Sequence, residues 1–272
     1  VTPTRTLDEL ERYYTNLHNE VERLSSTVRG QFERQRMREF LAQYLPSAPA
    51  KIADVGGGPG VHATWLTQEG YEVELLDRVE RHVDEAREAG ISATLGDARE
   101  LPWKAKSFDA VLMAGPMYHL SVREHRILAL QEAARVLRPG GLLLVVAINR
   151  TASLIGSAIA NTLHQRQNIV RAILATGYSD DNDRMPNTTY HTVAQLRSEL
   201  SEVVSTIGIH GLTGPGGWLA VLVDSYFSDS DLPLSLAEHD PLQTALTSSR
   251  MADELPDLAH PSSLLLGVAR RV

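Results

Sequence analysis

The chain has 272 residues, 43% of them hydrophobic and 22% charged, which suits one large packed domain carrying an insertion. It has no cysteine, so disulfides, thiolate metal sites, iron–sulfur clusters and a thiol nucleophile are all excluded. The net charge of 26 − 34 = −8 argues against nucleic acid or an anionic membrane as partner. With no membrane-length apolar run and a polar N-terminus, the expected location is cytoplasmic.

Residues 7–24 place Leu7, Leu10, Tyr14, Leu17, Val21 and Leu24 at helical spacing, with Thr6 and Glu9 as a capping box. A second helical pattern carries Phe32, Met37, Phe40, Leu41, Tyr44 and Leu45, and Pro46 and Pro49 end it. Arg34, Arg36 and Arg38 lie at alternate positions, which do not share a helix face, and read as solvated surface. From Lys51 short apolar runs alternate with helical ones. Strands are expected at 51–55, 72–76, 92–95, 108–113 and 142–148, and helices at 60–69, 78–89 and 122–137. Gly70 and Gly90 stand at helix C-termini, and Pro139-Gly140-Gly141 turns the chain into the fifth strand. The rhythm breaks after Asn149. Residues 150–200 read as mostly helical with a polar loop at 179–186. A strand-like stretch at 203–209, a Gly-Pro-rich loop at 211–217, further helix and an apolar run at 264–269 follow. The expected fold is α/β, a doubly wound, mostly parallel seven-stranded sheet. Its expected divisions are a helical cap over 1–45, a ligand-binding core over 46–149, a helical cover over 150–202, and the last two strands within 203–272.

The run Ile52-Ala53-Asp54-Val55-Gly56-Gly57-Gly58-Pro59-Gly60 takes an apolar strand straight into a glycine loop, and Asp77 closes a second apolar run. Such a loop brings backbone N–H groups and a helix N-terminus to an adenosine-bearing ligand, and a carboxylate to its ribose. A nicotinamide dinucleotide and S-adenosylmethionine both suit this arrangement. The dinucleotide fingerprint Gly-x-Gly-x-x-Gly needs a third glycine at position 61, which is Val61.

Asp54 followed by Gly56, Gly58 and Gly60 instead resembles the first motif of the class I S-adenosylmethionine-dependent methyltransferases, in a form similar to bacterial small-molecule enzymes. Three further features resemble the family in the same order: Asp77 at the second strand end, Gly96-Asp97-Ala98 after the third, and Arg135-Val136-Leu137-Arg138-Pro139-Gly140-Gly141 before the fifth. The resemblance covers about residues 50–148. It implies that Asp54, Gly56, Gly57, Gly58, Gly60, Asp77, Arg78, Gly96, Asp97, Ala98, Met113 and Ala114 form the cofactor site. In it Asp77 accepts from the ribose hydroxyls and Asp97 from the adenine amino group. Without cysteine, radical chemistry on the cofactor is excluded, and the expected reaction needs no metal.

Open α/β sheets bind ligands beyond the carboxyl ends of their strands. The mouth of the fourth strand reads Ala114-Gly115-Pro116-Met117-Tyr118-His119-Leu120. Methyltransferases acting on exocyclic base nitrogens carry Asn or Asp at this point, and Ala114 offers no such oxygen. His119 is the candidate general base, since an unperturbed imidazole titrates near neutrality. His62, just inside the glycine-loop helix, reads as structure beside the cofactor. Tyr14, Tyr118 and Trp218 are candidate acceptor-binding residues, with Tyr13, Tyr226 and Phe227 as further aromatics of the cover. The expected function is methyl transfer from S-adenosylmethionine to an O, N or C nucleophile of a small organic molecule, by a chain compatible with a homodimer. The alternatives are a protein or RNA acceptor, a non-catalytic S-adenosyl-ligand protein and, behind these, a nicotinamide oxidoreductase.

Overall fold

The computed structural model describes residues 9–14, 20–180, 185–227 and 240–272. Thr6, Leu7 and Leu17 of the first predicted helix, and part of the polar loop at 179–186, lie outside these residues. Residues 9–14 are helical, and two helices follow, α1 (Glu20–Ser26) and α2 (Val28–Tyr44). The five expected strands and their helices come next in order. They are β1 (Lys51–Val55), α3 (Val61–Gln68), β2 (Glu72–Asp77), α4 (Glu80–Glu88), β3 (Ser92–Leu95), β4 (Phe108–Met113), a short α5 (Pro116–His119), α6 (Arg123–Val136) and β5 (Leu137–Asn149). The cover supplies α7 (Ala152–Ile159), α8 (Leu163–Thr176), β6 (Tyr178–Ser179), β7 (Thr188–His191) and α9 (Val193–Ser201). Then come β8 (Ser205–Gly211), α10 (Gly216–Tyr226), α11 (Pro241–Ala252), a 3₁₀ turn and β9 (Leu264–Arg270).

Strands β3-β2-β1-β4-β5 lie side by side and parallel, and β9 and β8 extend the sheet in antiparallel pairing. Side chains alternate across this sheet as a strand's two-residue period requires. Ala53, Val55, Val111, Met113, Leu143 and Val145 enter one core, against Ala129, Leu130 and Ala133 of α6 and Leu196 and Leu200 of α9. Ile52, Ala110, Leu112, Leu142 and Leu144 enter the other, against Met37, Phe40 and Leu41 of α2 and Leu66 of α3. Each fully buried Leu or Phe in these layers contributes about 1.5–3 kcal/mol relative to exposure.

Two elements differ from the sequence expectation. First, β6 and β7 form a hairpin inside the stretch read as helical, so the sheet has nine strands among the described residues rather than seven. Strand β7 pairs with β5 at Ile148 and Asn149, beyond the end of β4, whose last partner on β5 is Val145. Since β9 still holds the opposite edge of β5 at Ile148, β7 takes the edge that β4 has left. This puts the hairpin beyond the carboxyl end of β4. Second, Gly216-Gly217-Trp218 opens helix α10 instead of lying in a loop. Gly216 and Gly217 are where α10 crosses its neighbours closely: a Cβ at Gly216 would stand 1.9 Å from the Ala245 carbonyl oxygen.

The N-terminal helices are tied to this region electrostatically. Asp224 of α10 accepts from both the Val28 and Arg29 N–H groups at 2.9 Å, neutralising the positive end of α2. Among the described residues no helix is long and apolar enough to cross a membrane.

Candidate active site

The carboxyl ends of β1, β2, β3 and β4 open into one pocket. The glycine loop forms its floor. Gly56 and Gly58 have φ of +72° and +57°, a left-handed backbone that side-chain-bearing residues rarely adopt. At Gly56 there is also no room: a Cβ would stand 2.6 Å from Cδ of Pro116, so the loops after β1 and β4 touch only because glycine is there. Asp77 braces the loop. Its Oδ2 accepts from the Gly58 N–H at 2.9 Å, while Oδ1 accepts from the Val79 N–H at 2.8 Å just ahead of α4. The same carboxylate therefore shapes both the glycine loop and the turn into the next helix, and it lines the pocket.

Asp97 lines the pocket at the β3 end, where Arg99 holds both of its oxygens, Nε on Oδ1 at 2.9 Å and Nη2 on Oδ2 at 2.6 Å. Burial alone would raise the Asp97 pKa, but the bonds from Arg99 outweigh it and keep the carboxyl below its ordinary range. Arg78 also lines the pocket, and burial lowers its pKa against the opposing charge of Asp97.

Tyr118, His119 and Leu120 line the pocket together with Leu10, Tyr14 and Leu24 from the N-terminal helices. The Tyr14 hydroxyl and Nε2 of His119 are 2.8 Å apart. The Tyr14 ring also stands edge-on to His82 at 5.1 Å between centroids. Nδ1 of His119 is sealed from solvent and has no hydrogen-bond partner among the described residues. Burial drives the His119 pKa down to about 3, partly opposed by the charge of Asp77. The expected near-neutral base is thus corrected: this imidazole stays neutral across the physiological range.

Most of the predicted site residues meet in this pocket. Gly56, Gly57, Gly58, Asp77, Arg78, Gly96, Asp97, Ala98, Ala114, Tyr14, Tyr118 and His119 all line it, as does His62. Asp54, Gly60, Met113 and Trp218 do not. Asp54 lies beneath the loop, where a Cβ at Gly57 would stand 2.6 Å from its Oδ2. Gly60 is the left-handed N-cap of α3, and Met113 is fully buried in the core. Trp218 is the clearest correction: its Nε1 donates to the Pro261 carbonyl, so its polar edge is spent on packing α10. Tyr13, Tyr226 and Phe227 are likewise outside the pocket wall, and His191 and His210 are bonded to Glu199 and Tyr44. The sequence reading missed His82, whose Nδ1 lies 3.4 Å from Asp77 Oδ1. Its spacing from Asp77, one helical turn beyond a strand end, was the available signal.

Whether an adenosine-bearing sulfonium fits this pocket can be judged from the lining. The floor is side-chain-free over three successive glycines, and two carboxylates stand at successive strand ends. Both oxygens of Asp54 are buried under the loop without partners among the described residues, a polar deficit beside the pocket. The residues fit the group.

Residues 53–145 match the family model described as a methyltransferase domain. Over this stretch the chain is an S-adenosylmethionine-dependent methyltransferase domain. A human protein named as a probable tRNA methyltransferase is 36% identical to it over 110 residues, which is 40% of this chain and 23% of that protein. The chain therefore spans less than a quarter of that relative's length. Two solved methyltransferases share the fold along essentially the whole chain. One, from Thermotoga maritima, is titled a possible histamine N-methyltransferase, with a TM-score of 0.58 and 18% identity over 98% of this chain and 100% of its own. The other is the geranyl diphosphate C-methyltransferase of Streptomyces coelicolor, with a TM-score of 0.57 and 14% identity over 100% of both chains. The matched residues 53–145 contain the glycine loop and the four strand ends that build most of the pocket.

Proposed function

We propose that this methyltransferase moves the methyl group of S-adenosylmethionine to a nucleophile on a small organic molecule held beneath its N-terminal helices. The observation that carries this reading is a single pocket whose wall joins a glycine-and-carboxylate floor to Tyr14, Tyr118 and His119. The net charge of −8 agrees with it.

When bound, the cofactor supplies an electrophilic methyl group on a sulfonium. The glycine loop and the N-terminus of α3 suit its carboxylate end. Asp77 and Asp97 are placed to accept hydrogen bonds from hydroxyl and amino donors. Holding two reactants in register accounts for roughly 7–11 kcal/mol of a barrier, which is the contribution an enclosed pocket makes. His119, neutral, joined to Tyr14 through Nε2 and with Nδ1 sealed, serves as wall and orienting contact rather than as a base. It suits an acceptor that is already nucleophilic, or one that needs only orientation.

Calorimetry tests the cofactor half. S-adenosylmethionine should bind and NAD should not, and Asp77→Ala should weaken S-adenosylmethionine binding by about 1–3 kcal/mol. Unchanged affinity in a folded Asp77→Ala protein refutes the carboxylate's role. An RNA acceptor is the second reading, favoured by the likeness to the human tRNA methyltransferase. Assays with labelled cofactor against small molecules and bulk tRNA separate the two: label confined to tRNA makes RNA the acceptor and overturns the small-molecule reading.

A further inference from the structure

We propose that Tyr14 is a positioning residue that fastens residues 9–14 across the pocket through His119, so that this bond must break and reform each time a ligand of cofactor size is exchanged. The proposal rests on the methyltransferase reading only for the identity of that ligand.

The observations are geometric. Residues 9–14 reach the pocket from the N-terminal side, and Leu10 and Tyr14 are part of its wall. They are joined to two separate elements. One is α5, through the Tyr14 hydroxyl and His119 Nε2 at 2.8 Å. The other is the β6–β7 hairpin, through Asn187 Nδ2 donating to Glu9 Oε2 at 3.1 Å and the Tyr14 hydroxyl facing Met185 Sδ at 3.9 Å. Asn187 is itself held, because its Oδ1 accepts from the Tyr178 hydroxyl at 2.7 Å. The hairpin sits beyond the end of β4 because β7 takes over the β5 edge there. The same unexpected hairpin thus provides the second anchor.

This attachment differs in kind from the rest of the fold. The core is held by alternating apolar faces, whereas residues 9–14 combine one buried apolar anchor, Leu10, with polar contacts of Glu9 and Tyr14. Segments with few apolar anchors open at far lower cost than core elements. The bond also decides what His119 can do. With Nε2 engaged by Tyr14 and Nδ1 sealed, neither ring nitrogen is open to the acceptor, and release of Tyr14 is what frees Nε2. An open segment would leave the acceptor end of the pocket without one wall and His119 without its restraint.

Tyr14→Phe removes one oxygen and keeps the ring. Arg12, exposed on this segment, gives trypsin a site whose cleavage reports opening without any ligand. In the folded Tyr14→Phe protein, cleavage after Arg12, followed by mass spectrometry, should be roughly 3- to 10-fold faster than in wild type, the range set by loss of one hydrogen bond. Stopped-flow dissociation of S-adenosylhomocysteine should accelerate by a similar factor, with the urea midpoint of the whole protein unchanged. His119→Asn should reproduce both effects. Equal cleavage rates in wild type and Tyr14→Phe overturn the fastening, and faster cleavage with unchanged dissociation overturns its control of exchange. If wild type binds no S-adenosylhomocysteine, the methyltransferase reading fails, while the cleavage comparison still decides the fastening.

Discussion

Asp54 stands first in the glycine-loop motif, yet it does not touch the pocket. It is fully buried, both oxygens lack partners among the described residues, and burial together with the charge of Asp77 pushes its pKa up to about 7. An acid whose folded pKa exceeds its unfolded value favours the fold when protonated. That contribution is complete below the unfolded value of about 3.9 and is lost as pH rises through about 7. The ligand-free protein should therefore lose a few kcal/mol of stability between about pH 4 and 8 on account of this residue. Asp54→Asn keeps the shape and removes the titration, so it should flatten this part of the profile and be the more stable protein at pH 8. Urea unfolding at pH 5, 6.5 and 8 measures it; parallel profiles for the two proteins would show that Asp54 finds a partner in solution.

Among the elements, the hairpin and α9 depend on one buried ionic cluster that the sequence did not reveal. Arg126 of α6 binds Glu199 of α9, Nη2 to Oε1 at 2.6 Å, and its Nη1 donates to the Leu120 and Ser121 carbonyls just after His119. His191 of β7 approaches the same Glu199 at 3.2 Å, and Thr189 of β7 donates to the Leu120 carbonyl. Burial alone would raise the Glu199 pKa, but the bonds and charges of His191 and Arg126 bring it down to about 2. Its contribution is thus present above the unfolded value of about 4.3 and is lost as pH falls towards 2. Glu199→Gln should cost about 3–5 kcal/mol at pH 7, because Arg126 is left buried without a counter-charge. The difference from wild type should shrink as pH falls from 5 to 2. A gap independent of pH would mean that packing, not charge, is what the substitution disturbs. The five parallel strands were legible because most are apolar runs with a glycine near one boundary. Thr188-Thr189-Tyr190-His191 was not, because its burial comes from pairing with β5 and from this cluster rather than from an apolar pattern. Trp218 was misread for the converse reason: an aromatic beside glycines resembles a pocket loop, while at this position the glycines let helices cross.

For the whole molecule, the pocket is a product of the chain's topology. Its wall draws on four segments, with Leu10, Tyr14 and Leu24 from the first and residues within 56–62, 76–98 and 114–120 from the others, which only the assembled sheet and the N-terminal helices bring together. The cofactor end was readable because each of its residues is fixed to a strand end by a local motif. The acceptor end was not, since Tyr14 meets His119 across 105 positions of sequence. A ligand that needs all four segments binds the folded state and not the unfolded one, so it stabilises the entire chain by mass action. At a hundred times its Kd the gain is about 2.7 kcal/mol. For a chain of this size each kcal/mol moves the melting temperature by about 2–4 °C, so S-adenosylhomocysteine at that excess should raise it by roughly 5–10 °C. NAD at the same concentration should leave it in place, because Val61 stands where a dinucleotide loop needs glycine. Scanning calorimetry with each ligand distinguishes these outcomes. A shift with NAD alone would assign the glycine loop to the other adenosine ligand, and the two carboxylates at the strand ends would then need a different account.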